Sequence, residues 1–446
     1  MSDKNSFGQY SKDEIIDLQK QYVMPCVEAW HDILFVKGQG SLLFDSEGKE
    51  YLDCFSGVAV VNIGHCHPKV VKAVNVQLEK LTHLSTLYYT EPMPLLAKRL
   101  AELAPMTNKK IKSFFCNSGT EANEHAITLA KKATGKNEII SLQCGFYGRG
   151  GTTAGLTGLG SWRAGLGPFV PGIYHAPSYY CYRCPMGQKS GPPECGYACA
   201  NYIKHMLKTE TTKNVAAFIA EPILGVGGCI PAPPDYFKIV KEILDQENIL
   251  FVVDEVQSGN GRTGKLFGIE HYGVEPDIIT VAKGLGGGVL PIGATISNSD
   301  IADKHLGPDF STFGGNPVSC VAALACLDVI ESENLIANAD RVGRYMLKRL
   351  KQIADNSNLL DCVEGIGLMI GMEIVIDKEK KTPAGDELLV EIMNKLASQG
   401  VLVGRGGLYY NRLRFEPPLC LTENQAEQAL DRFENVINTI EKSRMS

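Results

Sequence analysis

The alternation of short apolar runs with helical segments constrains the fold of this chain more than any other feature. Residues 111–116, 215–220, 249–253 and 277–281 form short runs rich in strand-forming residues, while residues 120–133 and a stretch ending near residue 245 have helical spacing. Short β-rich runs separated by helices are typical of a mostly parallel sheet covered on both faces. The sequence therefore predicts an α/β fold.

The pattern changes after residue 328, where longer amphipathic helices alternate with strand-like pieces at 368–376 and 401–403. In the last helix, Thr422 and Gln425 have the spacing of a capping box. This change predicts two domains. We expect a large domain over residues 61–328 and a smaller α+β domain formed by both termini, residues 1–60 and 329–446.

Composition and charge exclude two classes of protein. The 446 residues include 44 Lys and Arg against 50 Asp and Glu, a net charge of −6, so there is no basic excess for binding nucleic acid. The sequence contains no run approaching the ~18 apolar residues of a membrane span, and its first residues do not resemble a signal peptide. We expect a cytoplasmic protein whose 14 cysteines are mostly reduced thiols.

The segment 117–124 directly follows a predicted strand and opens a helix. Its small residues, together with the hydroxyls of Ser118 and Thr120, would let backbone N–H groups approach an anion at the positive end of the helix dipole. The segment therefore has the outline of a phosphate site. The alternative is an ordinary helix start, with a capping box between Ser118 and Glu121.

Two further residues follow predicted strands. Asp254 ends the apolar run 249–253, at the edge where parallel sheets bind ligands. Lys283 comes 29 residues later, after the run 277–281, and is followed by four glycines within five residues. A half-buried lysine with a lowered pKa is the group that Schiff-base chemistry requires. The alternative for Asp254 is a capping role.

These motifs, in this order, resemble those of the class III (ω-amino acid) aminotransferases, pyridoxal-phosphate enzymes of fold type I. The resemblance spans nearly the whole chain and rests on residues 53–57, 64–68, 118–123, 221–223, 254–259, 261–264, 277–288, 312–317 and 414–419. It implies an α/β fold with a large, mostly parallel sheet domain and a smaller α+β domain. It also implies pyridoxal 5'-phosphate as cofactor and an amine and a keto acid as substrates.

The resemblance assigns roles around that cofactor. Lys283 would bond to its aldehyde carbon and shuttle the substrate proton, and Asp254 would keep the pyridine nitrogen protonated. The remaining cofactor contacts would be Ser118, Gly119 and Thr120 at the phosphate, Phe146 on the ring face, Gln257 near the 3-oxygen, and Thr312 at the phosphate of a neighbouring subunit. A homodimer, or a dimer of dimers, is therefore expected.

On the substrate side, the resemblance points to Arg414 for the α-carboxylate, since arginine pairs with carboxylates through two parallel hydrogen bonds. Glu221 would neutralise Arg414 when the amino donor has no α-carboxylate. Arg163, beside Trp162, is a candidate for the donor's far acid, or else a solvated side chain. For Arg414 the alternative is a surface ion pair.

Taurine is the favoured donor and 2-oxoglutarate the favoured acceptor, because the whole-chain resemblance is to bacterial enzymes of that kind. β-Alanine and 4-aminobutyrate are further candidate donors, and an alanine–glyoxylate activity is the main alternative. A decarboxylase, racemase or aminomutase would share the same cofactor residues.

The chain departs from the family pattern at two positions. Tyr147 stands where the family usually has histidine after the aromatic residue, which removes a role for histidine beside the ring. Asn260 stands where an apolar or aromatic residue is usual. This second change suggests a more polar pocket.

Four of the 14 cysteines lie within 19 residues, at Cys181, Cys184, Cys195 and Cys199. Their spacing leaves open a zinc site, a redox-sensitive pair, or a loop of reduced thiols. If this loop were the working part, the chain would be a non-catalytic metal scaffold. A metal site at His65, Cys66 and His67 is disfavoured, since these residues match a family element that has no metal role.

Overall fold

A computed structural model describes residues 8, 10–26, 29–107 and 110–445. Within these residues the helices are α1 (Lys12–Tyr22), α2 (Ser56–Ala59), α3 (Pro68–Lys80), α4 (Pro92–Leu103), α5 (Gly119–Thr134), α6 (Gly151–Leu156), α7 (Gly160–Arg163), α8 (Ala198–Thr209), α9 (Tyr236–Gln246), α10 (Ser299–Ala302), α11 (Pro317–Ser332), α12 (Leu335–Asp355), α13 (Asp386–Ser398) and α14 (Glu423–Met445). Short 3-10 turns cover Cys181–Arg183, Gly268–Tyr272 and Lys283–Gly286.

The strands in the same residues are β1 (Phe35–Gln39), β2 (Leu42–Asp45), β3 (Glu50–Asp53), β4 (Ile111–Cys116), β5 (Glu138–Leu142), β6 (Ile173–Ala176), β7 (Val215–Ala220), β8 (Ile223–Leu224), β9 (Ile230–Pro231), β10 (Leu250–Asp254), β11 (Ile278–Val281), β12 (Gly293–Asn298), β13 (Leu360–Ile366), β14 (Met369–Asp377), β15 (Thr382–Pro383), β16 (Val401–Leu402), β17 (Gly404–Gly406) and β18 (Arg412–Phe415).

The largest sheet has seven strands in the order β4-β12-β11-β10-β7-β5-β6. All neighbouring pairs are parallel except those of β12, which runs antiparallel to both β11 and β4. The predicted α/β fold with a mostly parallel sheet is therefore confirmed. Because β11 and β12 are antiparallel, the short segment 282–292 can connect them without a crossover helix.

Both faces of this sheet are buried, which explains why its strands are apolar without alternation. Along β7, Phe218 packs into one core cluster with Phe251, whereas the next residue, Ile219, packs into another with Val252 on the opposite face. Phe237 of α9 stacks on Phe251 at 5.7 Å between ring centroids. The sheet is thus the centre of a three-layer arrangement.

The C-terminal residues form a second body of structure around the sheet β13-β14-β18-β17. The predicted capping box before α14 is present, since Gln425 N donates to Thr422 Oγ1 at 3.2 Å and Thr422 N donates to Gln425 Oε1 at 3.0 Å. Strand β3 pairs with β16 in parallel, which joins the N-terminal strands to the C-terminal part. The domain bounds 61–328, 1–60 and 329–446 stay a prediction, and residues 1–7, 9, 27–28, 108–109 and 446 lie outside the described residues.

Among the described helices, the structure has none that is both long and apolar enough to span a membrane.

Candidate active site

A cavity of about 440 Å³ opens where several strands of the large sheet end. The residues that follow β4, β5, β7 and β11, together with the last residue of β10, all contribute to its lining: Ser118, Phe146, Glu221, Lys283 and Asp254. Carboxyl ends of parallel strands meet at one edge of the sheet, and ligands of α/β folds bind at that edge. Residues far apart in sequence are thereby brought into one site.

Lys283 is half-buried at the start of the turn after β11. Its backbone has φ +44°, a left-handed conformation that is uncommon for residues other than glycine and asparagine. Burial lowers the pKa of its amine to about 8, while the nearby carboxylates of Glu416, Asp254 and Glu221 act in the opposite direction. Roughly a tenth of this amine is therefore neutral, and so nucleophilic, at pH 7, far more than for a lysine of ordinary pKa.

Asp254 is held rigidly at the end of β10. Its Oδ2 accepts a hydrogen bond from Asn123 Nδ2 at 2.6 Å, and its Oδ1 accepts one from Val256 N at 2.9 Å. Burial raises the pKa of this carboxyl to about 6, and the two hydrogen bonds and Lys283 oppose that rise. The carboxylate is thus held in a fixed orientation, and it is mostly charged at neutral pH.

Asn123 is a functional residue to which the sequence motifs alone assign no role. Its Nδ2 also donates to the carbonyl of Tyr147 at 2.8 Å, and its Oδ1 accepts from Thr280 Oγ1 at 2.7 Å. Asn123 therefore connects Asp254 to both the helix α5 and the strand β11. It lies four residues after Gly119, on the buried face of α5, and this helical spacing is the signal that could have found it.

Gly119 is the first residue of α5 and belongs to the predicted phosphate turn. A Cβ at this position would lie 2.7 Å from Val256 Cγ1, so only glycine lets the helix start this close to the end of β10. Ser118, Gly119 and Thr120 all line the cavity. The positive end of the α5 dipole therefore faces the space that Asp254 and Lys283 also line.

The capping box expected between Ser118 and Glu121 is only half formed. Ser118 Oγ accepts from Glu121 N at 3.2 Å, but the Glu121 carboxylate accepts from Asn117 N at 3.0 Å instead of from Ser118 N. The backbone N–H of Ser118 thus does not donate to the Glu121 carboxylate. It lies beside a cavity that Asn117 also lines.

Phe146 and Glu221 form another part of the cavity wall, after β5 and β7. The Glu221 carboxylate accepts two backbone hydrogen bonds, from Phe146 N at 2.9 Å and from Gly225 N at 2.8 Å. Burial raises the pKa of Glu221 to about 8. The Phe146 ring packs edge-on against Trp162 at 5.1 Å between centroids.

Arg414 is buried on β18, behind Gln257, whose Oε1 accepts a hydrogen bond from Arg414 Nη2 at 3.3 Å. The ion pair expected between Arg414 and Glu221 is not the one observed. Among the described residues, the carboxylate that pairs with Arg414 is Glu416. The physical reason is local: Glu416 lies two residues further on, on the same side of the extended chain, whereas Glu221 is held by two backbone N–H groups.

Glu416 is the second functional candidate that the sequence motifs did not single out. It is fully buried, and of the nearby carboxylates it raises the pKa of Lys283 most. Its Oε1 has no hydrogen-bond partner among the described residues. Its position two residues after a candidate substrate-binding arginine is the sequence feature from which a role for Glu416 could have been predicted.

Three predicted site residues do not line the cavity of this chain: Thr312, Arg163 and Arg414, the last of which lies behind Gln257. Thr312 is exposed, which is compatible with a contact to a neighbouring subunit but does not test it. The guanidinium of Arg163 lies 5.7 Å from the centre of the Phe169 ring and does not line the cavity. The expected role of Arg163 at the donor's acid group stays a prediction.

The two departures from the family pattern also have local explanations. The Tyr147 hydroxyl donates to the carbonyl of Ile219 at 3.3 Å, so this side chain is held by the sheet. Asn260 Nδ2 donates to the carbonyl of Ala282 at 3.3 Å, directly before Lys283. Asn260 is thus behind the lysine and not in the cavity lining, and the expected increase in pocket polarity does not arise from it.

The four clustered cysteines converge on a small separate cavity, which Cys181, Cys184, Cys195 and Cys199 all line. In the described part of the chain, however, no three of their sulfurs lie within 4.8 Å of one another. All four thiols are free, and burial raises the pKa of Cys181 to about 11 and that of Cys199 to about 12. Four thiols of which no three come this close together do not form a preassembled zinc site.

The cavity fits pyridoxal 5'-phosphate. It combines a half-buried amine of lowered pKa, a fixed carboxylate, and a glycine-containing helix start that can face a phosphate. These three groups are the donor set that this cofactor needs.

Comparison with known proteins agrees with this geometry. The sequence profile of the family described as Aminotransferase class-III matches residues 25–437. The chain is 39% identical to alanine–glyoxylate aminotransferase 2 homolog 2, mitochondrial, of Arabidopsis thaliana, over 94% of this chain and 86% of that protein. It is 40% identical to the leucine/methionine racemase of Thermococcus litoralis, over 97% of both chains. The crystal structure of a thermostable (S)-enantioselective omega-transaminase from Thermomicrobium roseum matches with a TM-score of 0.89 and 29% identity, covering 97% of this chain and 99% of that one.

Proposed function

Because the chain belongs to the class-III aminotransferase family, we propose that it transfers the amino group of a small ω-amino acid, taurine first, to 2-oxoglutarate. That the protein is a pyridoxal-phosphate-dependent transaminase follows from the family. The observation that carries the proposal is the half-buried Lys283, with its lowered pKa, lining one cavity together with Asp254 and the start of α5.

Asp254 and Lys283 have different roles in the proposed reaction. Pyridoxal phosphate, when bound, supplies the electron sink that stabilises negative charge at the substrate carbon. Asp254, held by Asn123 and Val256, keeps a proton on the pyridine nitrogen through its negative charge. Lys283 Nζ moves a proton at the substrate carbon, which requires an amine whose pKa lies near the working pH.

The substrate side supports a carboxylate-bearing acceptor. Arg414 is a buried cation beside Gln257, and a keto-acid carboxylate that pairs with it would compete with Glu416 for the guanidinium. A donor without an α-carboxylate leaves the Arg414–Glu416 pair intact. Glu416 therefore performs, in this proposal, the neutralising role that the resemblance had assigned to Glu221.

Taurine stands first among the donors because of the whole-chain resemblance, including the segment 181–199, to bacterial taurine:2-oxoglutarate aminotransferases. β-Alanine and 4-aminobutyrate also carry an acid at the end remote from the amine. We further propose that the active unit is a homodimer or a dimer of dimers. A reducing compartment such as the cytoplasm suits the 14 free cysteines.

A donor and acceptor matrix tests this proposal. Taurine, β-alanine, 4-aminobutyrate and L-alanine are each paired with 2-oxoglutarate, pyruvate and glyoxylate, and the amino acid formed is quantified. We expect the highest kcat/KM for taurine with 2-oxoglutarate. A preference for L-alanine with glyoxylate would replace the proposal by the activity named for the Arabidopsis relative.

A racemase is the second candidate, favoured by the 40% identity to the Thermococcus litoralis enzyme. It would use the same lysine and acid, but a proton would be removed from the α-carbon and returned to its opposite face, and the amino group would stay on that carbon. Incubation of L-leucine or L-methionine without any keto acid, followed by chiral chromatography, separates the two. Appearance of the D-isomer at a rate above the transfer rate would favour the racemase.

A further inference from the structure

A second group of ligating side chains lies on α5 and beside it, away from the first turn of that helix. His125 is on α5, and its ring stacks on Phe114 of β4 with centroids 3.8 Å apart and planes 3° from parallel. His305 and Asp309 are in the segment that follows α10. All three line a cavity of about 220 Å³ that is separate from the active-site cavity.

The three side chains are close enough to share one ion. One ligand atom from each lies within 4.8 Å of the other two, and no other group of three or more His, Cys, Asp or Glu in the described residues meets this condition. His305 Nε2 lies 3.2 Å from Asp309 Oδ2. The two imidazole rings are 5.1 Å apart between centroids.

Two buried imidazole nitrogens at this place make no hydrogen bond among the described residues, although one of them, His305 Nε2, lies near the Asp309 carboxylate. In the part of the chain that the structure describes, His125 Nδ1 and His305 Nε2 are both buried and make no hydrogen bond of good geometry. A buried imidazole nitrogen without a partner is costly, and a bound ion or water would satisfy it. Two such nitrogens beside one carboxylate indicate a ligand.

We propose that His125, His305 and Asp309 bind one divalent transition-metal ion of the zinc class, with water completing the coordination. Two imidazoles and a carboxylate are a ligand set that zinc accepts, and the stacking of His125 on Phe114 fixes one ligand in advance. The ion would join α5, which begins at the phosphate turn, to the segment that leads to Thr312. Its role is structural and independent of the amino-transfer chemistry.

Equilibrium dialysis of the full-length holoenzyme against buffered Zn²⁺, followed by metal analysis, tests the site. The variants are His305→Gln and Asp309→Asn, at a half-buried and an exposed position, with His205→Gln as a control for an exposed histidine. A Cys181→Ser/Cys184→Ser variant controls for the cysteine cluster. We expect one zinc per chain in the wild type and both controls, and at least about a 10-fold weaker affinity in His305→Gln and Asp309→Asn.

Three results would overturn the proposal. They are a wild type that binds no zinc, a His305→Gln variant that binds it with unchanged affinity, and loss of the zinc in the cysteine variant. As a second readout, Zn²⁺ should raise the thermal unfolding midpoint of the wild type and leave that of His305→Gln unchanged. This readout does not depend on activity, so failure of the substrate proposal would leave it intact.

Discussion

At the scale of single residues, the reactivity of this site depends on what burial does to three charges. Burial lowers the pKa of Lys283 and raises that of Asp254, while Arg414 keeps its charge because Glu416 pairs with it. The positions of Lys283 and Asp254 at strand ends were predictable from the sequence. The pairing of Arg414 with Glu416 was not predictable from the sequence. It depends on the fold, in which two backbone N–H groups already hold the Glu221 carboxylate.

The pKa of Lys283 gives a prediction about cofactor attachment. A neutral amine is needed to attack the cofactor's aldehyde, and the neutral fraction rises as pH increases through the pKa. The attachment rate of added pyridoxal phosphate to the apoenzyme should therefore rise with a midpoint near pH 8. Stopped-flow absorbance measures it, with Lys283→Ala as the control for noncovalent binding. A midpoint near the ordinary lysine value of ~10.4 would contradict the burial argument.

The Arg414–Glu416 pair gives a second prediction. Glu416→Gln keeps the size of the side chain but removes the charge that competes with the substrate carboxylate. The KM for 2-oxoglutarate should fall about 10-fold, equivalent to ~1.4 kcal/mol. Glu364→Gln is the matched control, because Glu364 pairs with Arg412 at 3.0 Å away from the cavity. Equal effects of the two substitutions on KM would refute a gating role for Glu416.

At the scale of elements, the positions of the strands could be predicted from the sequence better than the directions in which the strands run. The runs 111–116 and 215–220 match β4 and β7 to the residue. Strand β7 is buried at every position, as expected for an apolar strand inside a parallel sheet. Nothing in the sequence of β12 indicated that this strand would be antiparallel to its neighbours, since an apolar run has no direction. The residues that line the cavity could be predicted because they follow strand ends. The hydrogen bonds of Asn123 could not, because they depend on how α5 packs against β10 and β11.

The contact between α5 and β10 can be tested directly. In Gly119→Ala the new methyl group would meet Val256 Cγ1 at 2.7 Å and push the helix start away from the phosphate. The affinity for pyridoxal phosphate should fall about 10-fold, or ~1.4 kcal/mol. Fluorescence titration measures it, and adding Val256→Ala should restore most of the loss.

Gly151→Ala is the control for that experiment, because nothing lies within 4 Å of a Cβ at position 151. It should bind the cofactor as the wild type does. If the double variant Gly119→Ala/Val256→Ala bound no better than Gly119→Ala alone, the steric explanation would be wrong.

At the scale of the whole molecule, the proposed homodimer makes each site depend on two chains. Lys283 and the phosphate turn belong to one chain, and the proposal takes Thr312 from the other. Thr312 is exposed in the single chain, and the adjacent Phe313 is 58% exposed. A large exposed aromatic beside a predicted intersubunit contact is compatible with an interface.

Mixed dimers test this arrangement. Lys283→Ala chains and Thr312→Ala chains, carrying different affinity tags, are co-expressed and the mixed dimer is isolated. One of its two sites combines an intact Lys283 with an intact Thr312 from the other chain, so cofactor affinity at that site should match the wild type. Affinity at the level of the Thr312→Ala homodimer would show that Thr312 does not serve the neighbouring chain.

The central claim is that this site transfers an amino group through Lys283 and Asp254. The most direct measurement is a single-turnover experiment on the holoenzyme, with taurine added first and 2-oxoglutarate second. The account predicts loss of the cofactor's visible absorbance on the first addition, then its recovery with one glutamate formed per active site. Absence of glutamate, with the absorbance not recovered by any keto acid, would contradict it.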